Sequence, residues 1–258
     1  MNKNQIFDND FLPNKQKKLF LYDQYFKLFT KLYKNNLLPN KILLTGQSGL
    51  GKSTFAYHFI NSILSNKEDH SYDFMNFTIN PLNRSFRLIN QKYHPNFYLI
   101  ENFADKQIID IKQVKNMISF INKTSYEKKI KFILIDNAEY LNLSSINALL
   151  KIVEEPPSNT FIIFIHNSSI KLIETLKSRC IEFKIFFSNQ EKQIIFKNLL
   201  TYYDLKIDLN LLEKIKSFYD SPGTILNLIK LIKEGVIDTN NINLISVISN
   251  LMEFILKN

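Results

Sequence analysis

Glycine is nearly absent from this chain, and where it occurs it is concentrated. Five of the 258 residues are glycine, and three of them, Gly46, Gly49 and Gly51, fall within six positions. Glycine reaches backbone conformations that other residues adopt only with strain, so the permissive backbone has been gathered into one loop. That loop follows the apolar run Ile42-Leu43-Leu44, which reads as a buried strand. It precedes residues 53–66, where Phe55, Phe59, Ile60 and Ile63 recur at helical spacing. In this strand-to-helix setting Gly46-Gln47-Ser48-Gly49-Leu50-Gly51-Lys52-Ser53 fits the pattern G-x-x-x-x-G-K-[ST]. Successive backbone N–H groups of such a loop wrap a phosphate chain, aided by the N-terminal dipole of the following helix. Lys52 can neutralise β- and γ-phosphate charge, and the Ser53 hydroxyl can ligate magnesium.

The rest of the composition narrows the class. With 45% hydrophobic and 22% charged residues, the composition is that of a globular chain and argues against wholesale disorder. A single cysteine, Cys180, excludes an intramolecular disulfide and a multi-cysteine zinc site. The first eleven residues are polar and carry Asp8 and Asp10, unlike a signal peptide. No uncharged apolar run approaches the roughly 18–20 residues needed to cross a bilayer. A cytoplasmic protein without membrane contact is the expectation. The net charge is +9, and no acidic residue lies between Asp23 and Glu68 while Lys27, Lys31, Lys34, Lys41 and Lys52 do. That asymmetry suits an anionic ligand, and it equally suits a chain-wide Lys/Asn/Ile bias.

Apolar runs at 97–100, 132–135, 161–165 and 181–186 read as further strands. Helical patterns separate them: Ile111, Val114, Ile118 and Ile121; then Ile146, Leu149, Leu150 and Val153, stopped by Pro156-Pro157; then a helix from about 170 to 179. This alternation predicts an α/β fold, a parallel sheet with helices on both faces. Residues 67–95 are polar and irregular and read as a loop insertion. After Phe187 the strand signal ends. Residues 188–204, 208–219, 222–234 and 241–257 read as amphipathic helices. The expected organisation is a P-loop domain over 1–187, a small all-α lid over 188–236 and a single C-terminal helix over 237–258.

Two further motifs carry chemistry. Ile133-Leu134-Ile135-Asp136 is an apolar strand ending in a carboxylate, the Walker B pattern, so Asp136 is a candidate to hold magnesium beside Ser53. The next position, where a water-polarising carboxylate is expected, is Asn137, which cannot act as a base. Glu139 is the nearest substitute, with a helix-start or surface role as the plainer reading. Glu154-Glu155 does not read as a catalytic pair, because adjacent helical residues point apart. His58, His70 and His94 lack metal-like spacing.

Residues 147–157, reading Asn-Ala-Leu-Leu-Lys-Ile-Val-Glu-Glu-Pro-Pro, are followed by an apolar strand and Ser178-Arg179-Cys180. This succession resembles clamp loader subunits of the AAA+ class. Leu38-Pro39-Asn40, His94-Pro95-Asn96 and Ile109-Asp110-Ile111 resemble the bacterial members. Ser221-Pro222-Gly223 is similar to the delta-prime subunits of bacterial DNA polymerase III. The resemblance covers residues 20–230. It implies an AAA+ fold and a subunit that helps load a sliding clamp onto primed DNA, with gamma/tau-like motor and delta-like subunits as neighbours. It further implies that Gly46, Gln47, Ser48, Gly49, Leu50, Gly51, Lys52, Ser53 and Thr54 bind ATP or ADP, with magnesium on Ser53 and Asp136. Arg179 becomes a finger reaching a neighbour's nucleotide. Asn167 becomes the sensor-1 residue, with His166 as the alternative.

Four departures from the family pattern shape the expectation. Asn137 replaces the glutamate. Residues 220–229 contain no Arg or Lys where a sensor-2 arginine would stand. Residues 67–95 contain no cysteine, so the zinc module of many relatives is not expected. The helical collar is reduced to one helix, or the chain is incomplete. The expectation is a nucleotide-binding subunit with weak or no turnover alone. The competing readings are a self-sufficient P-loop ATPase or kinase, and a scaffold with an empty P-loop.

Overall fold

The computed structural model describes residues 11–102, 108–122, 130–205 and 221–233. The helices expected over 208–219 and 241–257, and with them the C-terminal segment, lie outside the described residues.

Residues 13–47 and 51–186 form one compact unit. Its centre is a five-stranded sheet of β1 (Lys41–Gly46), β2 (Phe97–Ile100), β3 (Lys131–Ile135), β4 (Thr160–Asn167) and β5 (Ile181–Lys184), ordered β2-β3-β4-β1-β5. Every pairing is parallel. Every residue of β3 is buried, as both-face coverage requires, whereas the edge strand β5 is partly exposed.

Strand alternation divides the side chains between two faces. Leu43, Ile133, Ile135, Ile162 and Phe164 pack with Val114, Met117 and Ile121 of α4 (Ile111–Asn122), with Ile146, Leu149 and Val153 of α5 (Leu143–Glu154), and with Leu176 of α6 (Glu174–Lys177). The opposite face is aromatic. Phe26 and Phe29 of α1 (Asp23–Lys34) meet Phe55 and Phe59 of α2 (Lys52–Leu64), with Phe29 ring centroids 5.1 Å and 5.3 Å from the two. Phe59, Phe132 and Phe161 continue the cluster onto the sheet. Each buried phenylalanine contributes about 1.5–3 kcal/mol of hydrophobic stabilisation, so this face anchors the helix that carries Lys52 and Ser53.

Three local outcomes differ from the sequence reading. Helix α1 was not anticipated. The supposed loop over 67–95 contains a short helix α3 (Arg84–Asn90), capped by the Asn83 side chain, which accepts from the Phe86 N–H. The helix expected from about 170 to 179 is confined to α6. Upstream of it, Asn167 and His166 hold the backbone in turns: the Ser169 N–H donates to Asn167 Oδ1, and His166 Nε2 donates to the Ile170 carbonyl at 2.8 Å. Side chains that offer such local bonds compete with helix.

The second unit comprises the described residues of 187–258, together with 11–12 and 48–50. Helix α7 (Asn189–Tyr202) opens with a capping box between Ser188 and Glu191. Helix α8 (Pro222–Lys233) begins with proline, whose missing N–H costs nothing in a first turn. Phe196, Leu205, Ile225, Leu226, Leu228 and Ile229 form its core.

Candidate functional site

Strand β1 delivers the chain to Gly46, where a Cβ would collide with the Ile185 carbonyl oxygen. Gly51 then takes φ +87°, and α2 begins at Lys52. The Lys52 side chain folds back, and its Nζ donates to the carbonyl oxygens of Gly46 and Gln47 at 2.7 Å each. Burial lowers its pKa to about 8, against the opposing fields of Glu139 and Asp136. The amine is therefore held at the loop on carbonyls that an incoming anion can displace.

Ser53 Oγ donates to Asp136 Oδ1 at 2.9 Å, and the Asn137 N–H donates to the same oxygen at 3.0 Å. Enclosure by protein pushes the Asp136 carboxyl up to about 6 despite these bonds. A buried carboxylate beside a hydroxyl is a donor set for a hard cation. Magnesium commonly takes one or two protein oxygens and completes its shell with phosphate and water. Among the described residues no group of three or more His, Cys, Asp or Glu could hold a metal ion. The Ser53 hydroxyl and the Asp136 carboxylate, side by side, fit a magnesium ion that arrives on a phosphate ligand.

At the end of β4, Asn167 lies in register with Gly46, and the Ser168 N–H donates to the Gly46 carbonyl at 3.1 Å. The Asn167 backbone N–H donates to Glu139 Oε2 at 3.2 Å. Glu139 is thus part of the constellation formed by Gly46, Lys52, Ser53, Asp136 and Asn167, a role that its position one turn beyond the strand only hinted at. Asn137 sits at φ 57°, ψ 57°, a left-handed conformation that asparagine tolerates, and its amide donates to Asn102 Oδ1. His166 is buried and bonded to Ile170, with no partner at Nδ1.

Residues 48–50 are described with the helical unit. There Gly49 has φ +76°, and its carbonyl accepts the Gly223 N–H at 2.9 Å. A Cβ on Gly223 would lie 2.8 Å from that oxygen, and one on Gly49 would strike Ser221 Oγ. Ser221 and Thr224 hydroxyls are 2.5 Å apart.

Arg179 is not part of the phosphate loop's surroundings. It precedes β5, whose first residue Ile181 pairs with Ile42 at the beginning of β1. Gly46 lies four residues further along β1, about 13 Å away at parallel-strand rise. The loop and Arg179 therefore occupy opposite ends of the parallel sheet. Arg179 Nε and Nη2 both contact Glu154 Oε1, at 2.8 Å and 2.7 Å, and Nη1 donates to the Thr175 carbonyl at 2.8 Å. The Glu154 contact was missed by the sequence reading, which set Glu154 against its neighbour instead of against a residue 25 positions away. Cys180 packs partly buried against the core, and burial raises its thiol to about 11, so it is no thiolate near neutrality.

Among the described residues no helix is long and apolar enough to cross a membrane. In sequence the chain is similar to the DNA polymerase III subunit delta' of Pseudomonas aeruginosa, 28% identical over 140 residues, which are 54% of this chain and 41% of that one. It is also similar to the DNA polymerase III subunit gamma of Buchnera aphidicola subsp. Schizaphis graminum, 25% identical over 93% of this chain and 64% of that one. The chain thus spans less than two thirds of the length of these curated relatives. In structure it resembles the Thermotoga maritima RuvB Holliday junction branch migration motor, with TM-score 0.50 and 17% identity, covering 93% of this chain and 73% of that one. That likeness shows an α/β fold of the AAA+ kind. The family model described as DNA polymerase III, delta subunit, matches residues 22–188, most of the sheet-bearing unit, and the chain accordingly belongs to that family.

Proposed function

We propose that this chain is a subunit of the DNA polymerase III clamp loader that acts on its neighbours more than on its own nucleotide. In this reading residues 46–54 bind ATP or ADP, and Ser53 and Asp136 orient its magnesium. Lys52 exchanges its backbone carbonyls for phosphate oxygens. Asn167 marks the end of β4 beside the loop as the sensor-1 residue. Residues 188–236 serve as the small helical lid region. The partners are gamma/tau-like motor and delta-like subunits, with sliding clamp and primed DNA in the assembled machine.

The observation that carries this reading is the separation of Arg179 from the phosphate loop across the length of the sheet. An arginine placed there has no route to its own chain's nucleotide, yet it stands part-exposed at the surface. A guanidinium makes bidentate contacts to phosphate and stays charged, which suits a nucleotide supplied by an adjacent subunit. Asn137 supports the same division of labour, since its amide is committed to Asn102 and supplies no base.

The test is ATP turnover by the gamma-like motor subunit from the same source, with clamp and primed DNA. This chain is added as wild type or as Arg179→Ala. The expected result is stimulation by the wild type alone, with a loss approaching the ~10³–10⁵ that arginine fingers supply. Equal stimulation by both chains overturns the assignment of Arg179. Robust turnover by this chain alone would favour a self-sufficient ATPase.

A further inference from the structure

We propose that Glu154 is the positioning residue for Arg179, and that its carboxylate presents the guanidinium to a phosphate anion held by a neighbouring subunit. This rests on the trans-acting reading of Arg179 given above. The observation behind it is the Glu154–Arg179 pair itself, which joins the end of α5 to the turn between α6 and β5.

Glu154 is the last residue of α5, and Glu155 follows as its C-cap. Carboxylates at a helix C-terminus face the negative end of the dipole and are disfavoured there. Pro156 disfavours helical backbone at the preceding residue, and Glu155 takes φ −129°, ψ 74°, outside the helical region. The helix therefore stops at a fixed residue and leaves Glu154 at a fixed place. Lys41 Nζ, at the start of β1, approaches the Glu154 carbonyl at 3.4 Å from the sheet side. An exposed ion pair adds little to folding stability. A disfavoured carboxylate kept at such an end needs another reason, and the guanidinium supplies one.

The pairing leaves the arginine competent. Glu154 Oε1 takes Nε and Nη2, and the Thr175 carbonyl takes Nη1. Three of the five N–H groups are thereby used, and one remains on each terminal nitrogen. Those two donors suit phosphate oxygens, while the bonded edge removes the rotamer freedom of a long side chain. Positioning of this kind governs rate steeply, because a misplacement of about 1 Å can cost about 100-fold.

The experiment measures the motor subunit's kcat with clamp and primed DNA, and this chain's own nucleotide affinity by calorimetry. Glu154→Ala is expected to lower the stimulated kcat about 10- to 100-fold with own-site affinity unchanged. Glu154→Gln, which keeps an oxygen at the same reach, retains part of the stimulation. In an Arg179→Ala background, Glu154→Ala has no further effect, as a general structural role would not predict. Should the alanine chain melt early, Glu154→Asp withdraws the oxygen by one methylene and is expected to lower kcat in a chain that melts normally. If Arg179→Ala abolishes stimulation while a folded Glu154→Ala or Glu154→Asp chain stimulates like the wild type, the positioning role is overturned and the reading of Arg179 stands. If Arg179→Ala stimulates fully, the underlying reading falls instead.

Discussion

Ser53 and Asp136 stand 83 residues apart in sequence and are joined by a 2.9 Å hydrogen bond. The bond links the first turn of α2 to the end of β3 and brings a hydroxyl and a carboxylate to one point. The bond works against burial, which still raises the Asp136 carboxyl to about 6, above its ordinary 3.8. An acid with a raised folded pKa holds its proton more readily in the folded chain. Stability contributed by that proton is therefore lost as pH rises from about 4 to about 6. Asp136→Asn keeps an oxygen for Ser53 and removes the buried charge. Without nucleotide it should melt higher than the wild type at pH 7, by as much as ~3 kcal/mol of stability. It should also lose the magnesium dependence of nucleotide binding. An unchanged magnesium response would remove Asp136 from the site.

Lys52 yields a prediction with the opposite charge. Its folded pKa is lowered to about 8 from 10.5 by burial, so folded-state stability rises as pH climbs between those values. Phosphate binding restores the ammonium. Calorimetry at pH 8 in buffers of different ionisation enthalpy should report uptake of about half a proton per bound nucleotide. Lys52→Ala should keep its far-ultraviolet circular dichroism and bind nucleotide at least ~100-fold more weakly, or about 2.7 kcal/mol. Wild-type affinity in that variant would refute the phosphate-loop assignment.

Much of this was legible in the sequence, for identifiable reasons. The strands at 97–100 and 132–135 were readable because buried parallel strands are continuous apolar runs, and the loop at 46–53 because glycine is otherwise so rare. Helix α1 was not read, although Tyr22, Phe26, Phe29 and Tyr33 recur at helical spacing, because Lys27, Lys31 and Lys34 of the same stretch were weighed for their charge alone. The helix expected from about 170 failed because Asn167 and His166 offered the backbone local bonds, a competition that hydrophobic spacing does not display. Glu139 and Glu154 were undervalued for a common reason. Their partners, the Asn167 N–H and Arg179, lie 28 and 25 positions away, and only the sheet topology brings them near.

The approach of Gly223 to Gly49 is close enough to be tested by single methyl groups. Gly49→Ala places a side chain at φ +76° and against Ser221 and Thr224, while Gly223→Ala places one 2.8 Å from the Gly49 carbonyl. A left-handed alanine costs roughly 1–2 kcal/mol before any steric clash, and overpacking adds about 1–3 kcal/mol. Gly49→Ala should therefore destabilise more than Gly223→Ala, where backbone strain is not involved. Thermal melting of the two variants tests the order. Equal or reversed losses would mean that the loop conformation yields more easily than the Gly223–Gly49 hydrogen bond suggests.

The segment at 67–95, expected as a plain insertion, is held instead by a polar cluster that makes its own pH prediction. The Ser85 hydroxyl donates to Glu68 Oε1 at 2.6 Å, so His94 Nε2, 3.2 Å from that hydroxyl, must be the donor to it. His94 Nδ1 in turn accepts the Asn96 N–H at 3.1 Å. The ring is thus neutral, and burial lowers its pKa to about 4 from 6.5. Between those values the unfolded chain binds more protons than the folded one, so stability falls as pH drops from 6.5 toward 4. His58, lowered to about 3 by burial between Tyr72 and Gln16, acts in the same direction. His94→Asn keeps an acceptor for the Asn96 N–H and removes one titration. It should cost about 1 kcal/mol at pH 7 through the lost Ser85 contact, and its melting temperature should fall less steeply than the wild type's between pH 6.5 and 4. The slope should not vanish, because His58 remains. Parallel melting curves for variant and wild type across that interval would show that His94 is already charged in the folded chain and that the Glu68–Ser85–His94 arrangement has another proton distribution.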